Sequence, residues 1–352
     1  MRILYAVQAT GNGHLSRANA ILPRIKQVAN VDVLVSGTEA EVTLDVPIQY
    51  QLQGLSFVFG KKGGIDYAKT FRRMKSKRFL REIKEVAVES YDLVINDFEP
   101  VTAWACKLRG VPCVGLSHQS AVVHPSSPKP RKTDLLASLI LQYYAPVQRA
   151  FGFHFDVYAP GMFTPVIRPE IRAARVTHES HITVYLPAYV DERLIEYFHY
   201  FKDTEWHIFS KRCSIAYRAK NCWIQPVNTS RFTDSLVRSH GIICGAGFET
   251  PAEALFLGKK MLAIPMKGQY EQQCNAAALA QLGVPVIKSL KKKHRLLISE
   301  WLCNATPLHI NFPDQLEEII QAALTAQVLP SISHEVIQTR PTEVEASVHM
   351  PA

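Results

Sequence analysis

Apolar residues in the first half of the chain fall into short runs, with segments of helical period between them. "RILYAV", from Arg2, is a continuous apolar strand, and "GNGHLSR" turns from it into a helix whose apolar positions Ala18, Ile21, Leu22, Ile25 and Val28 recur at spacings of three and four. "VDVLV" follows as a second strand. Asp92 to Asn96 ("DLVIN") and Cys113 to Leu116 ("CVGL") predict further buried strands, separated by a helix around "VTAWACKLR" that stops at Gly110. Buried strands alternating with helices imply an α/β fold, a parallel sheet covered on both faces. Ligands of such sheets bind at the carboxyl ends of the strands.

The proline-rich basic loop "PSSPKPRK" precedes "TDLLASLILQYYAPV", a helix with an N-cap at Thr133 or Asp134 and a broad apolar face expected to pack in the core rather than on a membrane. "APGMFTPVIRPEI" is punctuated by prolines and marks a boundary. The rhythm then restarts with strands "HITVYLP", "EWHIF", "GIIC", "KMLAIP" and "VPVI" between helices. The expected organisation is two Rossmann-like domains facing across a cleft, residues 1–165 and 166–329, followed by a flexible polar tail at 330–352.

Composition agrees with two cores, because a single core stops growing near about 250–300 residues and this chain has 352. Hydrophobic content of 47% and charged content of 20% exclude general disorder. Seven cysteines without a C-x-x-C spacing predict reduced thiols, hence a cytoplasmic protein, and neither they nor the 13 histidines form a metal cluster. The start reads as a buried strand rather than a signal peptide, and "LLASLILQYYAPV" is shorter than the roughly 20 residues a membrane span requires. The net charge of +9 is concentrated: residues 61–84 hold ten Lys and Arg against Asp66 and Glu82. That segment is either a solvated basic face or a surface for an anionic partner such as a membrane. No nucleic-acid partner is expected.

Candidate chemistry gathers in "ICGAGFETPAEALFLGKKMLAIPMKGQYEQQCNAAAL", Ile243 to Leu279. Gly245 and Gly247 let backbone approach a ligand, and the helix that follows directs free N–H groups at it, which suits a diphosphate. Thr250, Pro251 and Glu253 spell a capping box, so Glu253 either caps the helix or contacts a ligand. Gln269, Glu271, Gln272, Gln273 and Asn275 supply groups that recognise hydroxyls. In the first half, Gly13, His14 and Arg17 follow the first strand, Asp97 follows "VIN", and His118 ends another strand as an acceptor contact or a satisfied buried histidine. Asp97-Phe-Glu99 could also be read as a D-x-D-like metal site, although that would leave the second domain and its loop unexplained.

Gly-x-Gly, Thr250, Ala252-Glu253-Ala254-Leu255, Gly258-Lys259, Ile264-Pro265 and Glu271-Gln272 with Asn275-Ala276 resemble the donor-binding signature of GT-B glycosyltransferases. The pattern is most similar to family 28, which includes the enzyme that adds N-acetylglucosamine to lipid-linked peptidoglycan precursor, and to related UDP-glycosyltransferases. The resemblance implies a nucleotide-sugar donor, UDP-linked, and a hydroxyl acceptor; the charge of the basic segment is what suggests a lipid-linked or membrane-proximal acceptor. It implies that Gly247 and Thr250 hold the diphosphate, Glu253 the ribose, and Glu271 with Gln272 the donor sugar. His14 would be the base of an inverting, metal-independent and cofactor-free transfer, with Asp97 orienting it. One departure is "YLPAYVDER" from Tyr185, where several members of the family have a second glycine-rich turn. A nucleotide-sugar 2-epimerase and a non-catalytic nucleotide-sugar sensor are the rival functions.

Overall fold

The computed structural model describes residues 1–37, 40, 42–55 and 76–326. Residues 61–75 of the basic segment and the expected tail from 330 lie outside the described residues.

The first sheet contains β1 (Arg2–Gln8), β2 (Asn30–Ser36), β3 (Tyr50–Leu52), β4 (Leu93–Asp97), β5 (Cys113–Ser117), β6 (Arg149–Phe153) and β7 (Met162–Phe163). Its order is β3-β2-β1-β4-β5-β6-β7, with every pairing parallel. The helices beside it are α1 (Asn12–Val28), α2 (Lys77–Glu85), α3 (Pro100–Arg109), α4 (His118–Val123) and α5 (Leu135–Tyr144). After β7 the chain forms the short α6 (Pro169–Arg172) and enters the second sheet.

That sheet contains β8 (His181–Tyr185), β9 (Glu205–Ser210), β10 (Tyr217–Ala219), β11 (Cys222–Pro226), β12 (Gly241–Cys244) and β13 (Lys260–Ala263). They lie in the order β10-β11-β9-β8-β12-β13, parallel except at the β10–β11 hairpin. Its helices are α7 (Asp191–Phe198), α8 (Thr229–Arg238), α9 (Glu249–Phe256), α10 (Tyr270–Gln281) and α11 (Arg295–Asn304), while α12 (Leu316–Thr325) packs back against α1 of the first sheet, where Arg24 meets Glu317 at 2.8 Å.

Local sequence explains where these elements stop. Gly110 ends α3 with φ 71°, the left-handed conformation that glycine adopts without a Cβ clash. The "VPVI" run contributes no strand, only a bridge from Val286 to Ala263, because Pro285 inside it has no N–H to extend the ladder. The helix after the basic loop is capped by Asp134, whose carboxylate accepts from Ala137 N at 3.0 Å. Its apolar face is not all core, as the sequence led us to expect: Ala137, Leu141 and Tyr144 are buried while Leu135, Leu136, Leu139 and Tyr143 are exposed. A helix that is apolar on all sides can turn just one stripe inward.

Both sheets change winding direction, the first between β1 and β4 and the second between β8 and β12. At such a point the connections on the two sides diverge and leave a crevice above the strand ends.

Candidate active site

The crevice of the first sheet is where three neighbouring strands end. β1 leads through Gly11, Asn12 and Gly13 to His14 on α1, β4 ends at Asp97, and β5 leads to His118 and Gln119 on α4. His14 Nδ1 lies 2.8 Å from Asp97 Oδ1. Arg17, one turn beyond His14, donates Nε to Asp97 Oδ2 at 3.0 Å and Nη2 to Oδ1 at 2.8 Å. Burial alone would raise the Asp97 carboxyl, but Arg17 and then His14 outweigh it and hold the group below its usual range. Asp97 is therefore an ionised acceptor, and its 2.8 Å contact, shorter than the 3.2 Å approach of Arg17 Nη2 to the same ring nitrogen, favours the His14 proton on Nδ1 and the lone pair on Nε2.

The turn that presents Asp97 is built by its neighbours. Phe98 sits at φ 56°, a conformation that costs an aromatic residue on the order of 1–3 kcal/mol. Asn96 holds the turn by accepting from Glu99 N at 2.9 Å and donating to Glu99 O at 2.7 Å. Glu99 caps α3, accepting from the N–H groups of Val101 and Thr102 at 2.8 and 2.7 Å. Asp97 and Glu99 thus serve different partners and do not act as a D-x-D pair.

Across the cleft, β12 runs into Gly245-Ala246-Gly247 and then α9. A Cβ at Gly247 would meet nothing within 4 Å, and one at Gly245 would stand 3.5 Å from Gln272 Oε1, so Gly247 leaves room beside the loop. Gln272 is held by Met266 N, which donates to its Oε1 at 2.8 Å. Thr250 occupies the first turn of α9, but the capping box does not form: Phe248 is the N-cap residue and brings no side-chain hydrogen bond. Glu253 instead accepts from Arg168, Nε to Oε1 at 2.5 Å and Nη2 to Oε2 at 2.9 Å. A planar guanidinium that meets both oxygens outcompetes a local backbone N–H. Burial raises the Glu253 carboxyl despite that arginine.

Several contacts cross the cleft. Arg17 Nη1 donates to Glu249, in the first turn of α9, and a Cβ on Gly13 would collide with the same carboxylate. The Glu249 carboxylate therefore rests against the start of α1, where a helix terminus favours negative charge. Gln119 Nε2 lies 3.1 Å from Glu271 Oε2 and 3.3 Å from His14 Nε2. Burial raises the Glu271 carboxyl.

Of the expected site residues, His14, Asp97, Arg17, Gly13, Glu271 and the glycine loop are gathered in or beside one cleft. His118 is 1% exposed with both nitrogens engaged, Nδ1 2.7 Å from Phe153 O and Nε2 2.8 Å from Asn275 Oδ1, and it stacks on Phe248 at 3.8 Å. It is a tether between the halves, not a free acid or base, and burial pushes its pKa well down. Glu249, Gln119 and Arg168 were not anticipated. The one signal for Glu249 was an acidic residue opening a helix behind a glycine turn.

Two α/β domains whose strand-end crevices face each other, one with a histidine–aspartate pair and the other with a glycine loop before a helix, define a GT-B glycosyltransferase. The chain belongs to glycosyl transferase family 1, whose model matches residues 1–304. No curated protein matches it. Similar solved structures include the spinosyn forosaminyltransferase SpnP, with 13% identity, TM-score 0.53 and coverage of 92% of this chain and 95% of that one. Another is Arabidopsis thaliana UGT89C1 complexed with UDP-L-rhamnose, with 11% identity, TM-score 0.56 and coverage of 93% and 94%. Phytolacca americana UGT2 complexed with UDP-2fluoro-glucose and pterostilbene gives 11% identity, TM-score 0.55 and coverage of 93% of each chain.

Proposed function

We propose that this glycosyltransferase takes a UDP-linked sugar and transfers it with inversion to a hydroxyl acceptor, His14 Nε2 receiving the hydroxyl proton. The hydroxyl oxygen bonds to the anomeric carbon as the bond to the diphosphate breaks, and the electron pair leaves with the diphosphate. Asp97 keeps Nε2 basic by holding the proton on Nδ1 and stabilises the imidazolium that forms. Gly245, Gly247 and Thr250, at the start of α9, receive the diphosphate charge. Glu271 and Gln272 hold the donor sugar. Glu253 takes the ribose hydroxyls by exchanging Arg168 for them.

The observation that carries this reading is the 2.8 Å His14–Asp97 contact, locked by Arg17 and facing the glycine loop. The donor loop's likeness to family 28 favours uridine over thymidine. An acceptor at an anionic membrane is supported by α2, which exposes Lys77, Arg81 and Lys84, and by the exposed leucines of α5. The free thiols of Cys106, Cys113, Cys213, Cys222, Cys244, Cys274 and Cys303 favour a reducing compartment.

Calorimetry with UDP, GDP and dTDP, paired with nucleotide release in the presence of membrane and soluble extracts as acceptor sources, tests the reading. His14→Ala is expected to bind UDP as the parent does and to lose release by about 100-fold or more. Release that survives His14→Ala, or that needs no acceptor fraction and yields a rearranged sugar nucleotide, overturns it.

A further inference from the structure

Gln119 has no role in the reaction described above, yet it touches both halves of the site. Its amide nitrogen carries two hydrogens, and its neighbours are His14 Nε2 at 3.3 Å and Glu271 Oε2 at 3.1 Å, one on each side of the cleft. Its Oε1 is buried, and among the described residues no donor reaches it. Gln119 as a whole is 5% exposed. Exchanging the amide oxygen and nitrogen would set the oxygen against the Glu271 carboxylate and the His14 lone pair, so the network fixes the orientation. A buried amide oxygen without a donor destabilises the fold. Such a cost is recovered when a ligand hydroxyl arrives.

We infer that Gln119 is a positioning residue that occupies the proton-accepting nitrogen of His14 until an acceptor hydroxyl displaces it, and so suppresses hydrolysis of the donor. This rests on His14 being the base. Water can follow the same course as an acceptor: its oxygen bonds to the anomeric carbon, its proton goes to His14 Nε2, and the diphosphate leaves with the bonding pair, releasing free sugar. To do so it must displace the Gln119 N–H with nothing but its own hydrogen bond. An acceptor brings binding energy from parts remote from the reacting hydroxyl and spends it on that displacement. Once moved, Gln119 Oε1 can accept a hydroxyl of the sugar that Glu271 holds.

The test uses Gln119→Met, which keeps the side chain's length and removes its hydrogen bonds, in the full chain. Without donor, the ¹⁵N resonance of His14 Nε2 is expected to move, because the bond to the Gln119 N–H is gone; an unmoved resonance overturns the inference. With UDP-glucose or UDP-N-acetylglucosamine and no acceptor, release of UDP and free sugar is expected to rise about tenfold or more in Gln119→Met. It is expected to return to the parent level in the His14→Ala/Gln119→Met double variant. Parental hydrolysis in Gln119→Met, with transfer still lost in His14→Ala, overturns the role of Gln119 and leaves the base intact. Hydrolysis that stays high in the double variant removes the base and this inference together.

Discussion

Asp97 at the end of the first sheet and Glu253 above the second are both buried carboxylates with an arginine partner, but their affinities for a proton move in opposite directions. Asp97 receives two N–H groups from Arg17 and a third contact from His14, and its carboxyl is held below the usual range. Glu253 has Arg168 as its cation, shared with Glu170 at 2.7 Å, and burial raises its carboxyl. The difference lies in how many donors meet the charge rather than in depth, since both groups are almost fully covered. It suits the two tasks proposed above: a carboxylate beside a base must stay ionised, whereas one proposed to exchange an arginine for sugar hydroxyls must not be bound too firmly to either.

The largest effect should come from removing the cation on the Asp97 side. Arg17→Met leaves Asp97 and Glu249 without their shared partner, and loss of one member of a buried ion pair costs about 3–5 kcal/mol. Urea unfolding should show a midpoint lowered accordingly; a change under about 1 kcal/mol would mean that the first-domain pair is no firmer than a surface one.

Next comes the Glu253 side, where affinity rather than stability is expected to respond. Glu253→Gln should weaken UDP binding about tenfold, equivalent to about 1.4 kcal/mol, while Arg168→Met, which frees the carboxylate, should leave binding unchanged or tighter. If Arg168→Met weakens UDP as much as Glu253→Gln does, the pair is a fixed strut and the contrast with Asp97 disappears.

A smaller effect belongs to Glu249, which is partly exposed. Glu249→Gln should lower stability by about 1 kcal/mol, because a charge-assisted hydrogen bond becomes a neutral one. Differential scanning calorimetry should then show the two domains unfolding less cooperatively.

The smallest effect is in the pH dependence. Asp97, with a depressed pKa, contributes stability that is present above the ordinary aspartate value of 3.8 and is lost as pH falls through its folded value. Glu253 runs the other way: its charged form is penalised in the fold, so its cost grows as pH rises from 4.5 through its raised folded value. Urea midpoints measured from pH 4 to 7 should therefore show Glu253→Gln gaining on the parent as pH rises. Parallel curves would remove the second half of the comparison.

What could be read from the chain follows from distance along it. The α/β alternation and the end of α3 at Gly110 were legible because each rests on local pattern, whereas the pairing of His14 with Asp97, 83 residues apart, was implied by the family resemblance. The capping alternative for Glu253 arose because Thr250, Pro251 and Glu253 satisfy that motif locally, while the arginine that claims the carboxylate lies 85 residues away. Glu249 and Arg17 are 232 residues apart, and no periodicity signals such a pair. β10 and β7 escaped notice for a different reason: at three and two residues they carry too few alternations to register.

The direction in which the chain is made gives Arg17 a further consequence. Ribosomes extend a polypeptide at roughly 5–20 residues per second, so this guanidinium leaves the exit tunnel on the order of tens of seconds before Glu249 does. Asp97, 80 residues behind it, neutralises it before Glu249 is made, and Arg168 likewise precedes Glu253, as Gln119 precedes Glu271. Asp97, Glu249, Glu253 and Glu271 thus each emerge after the side chain that meets them has been translated.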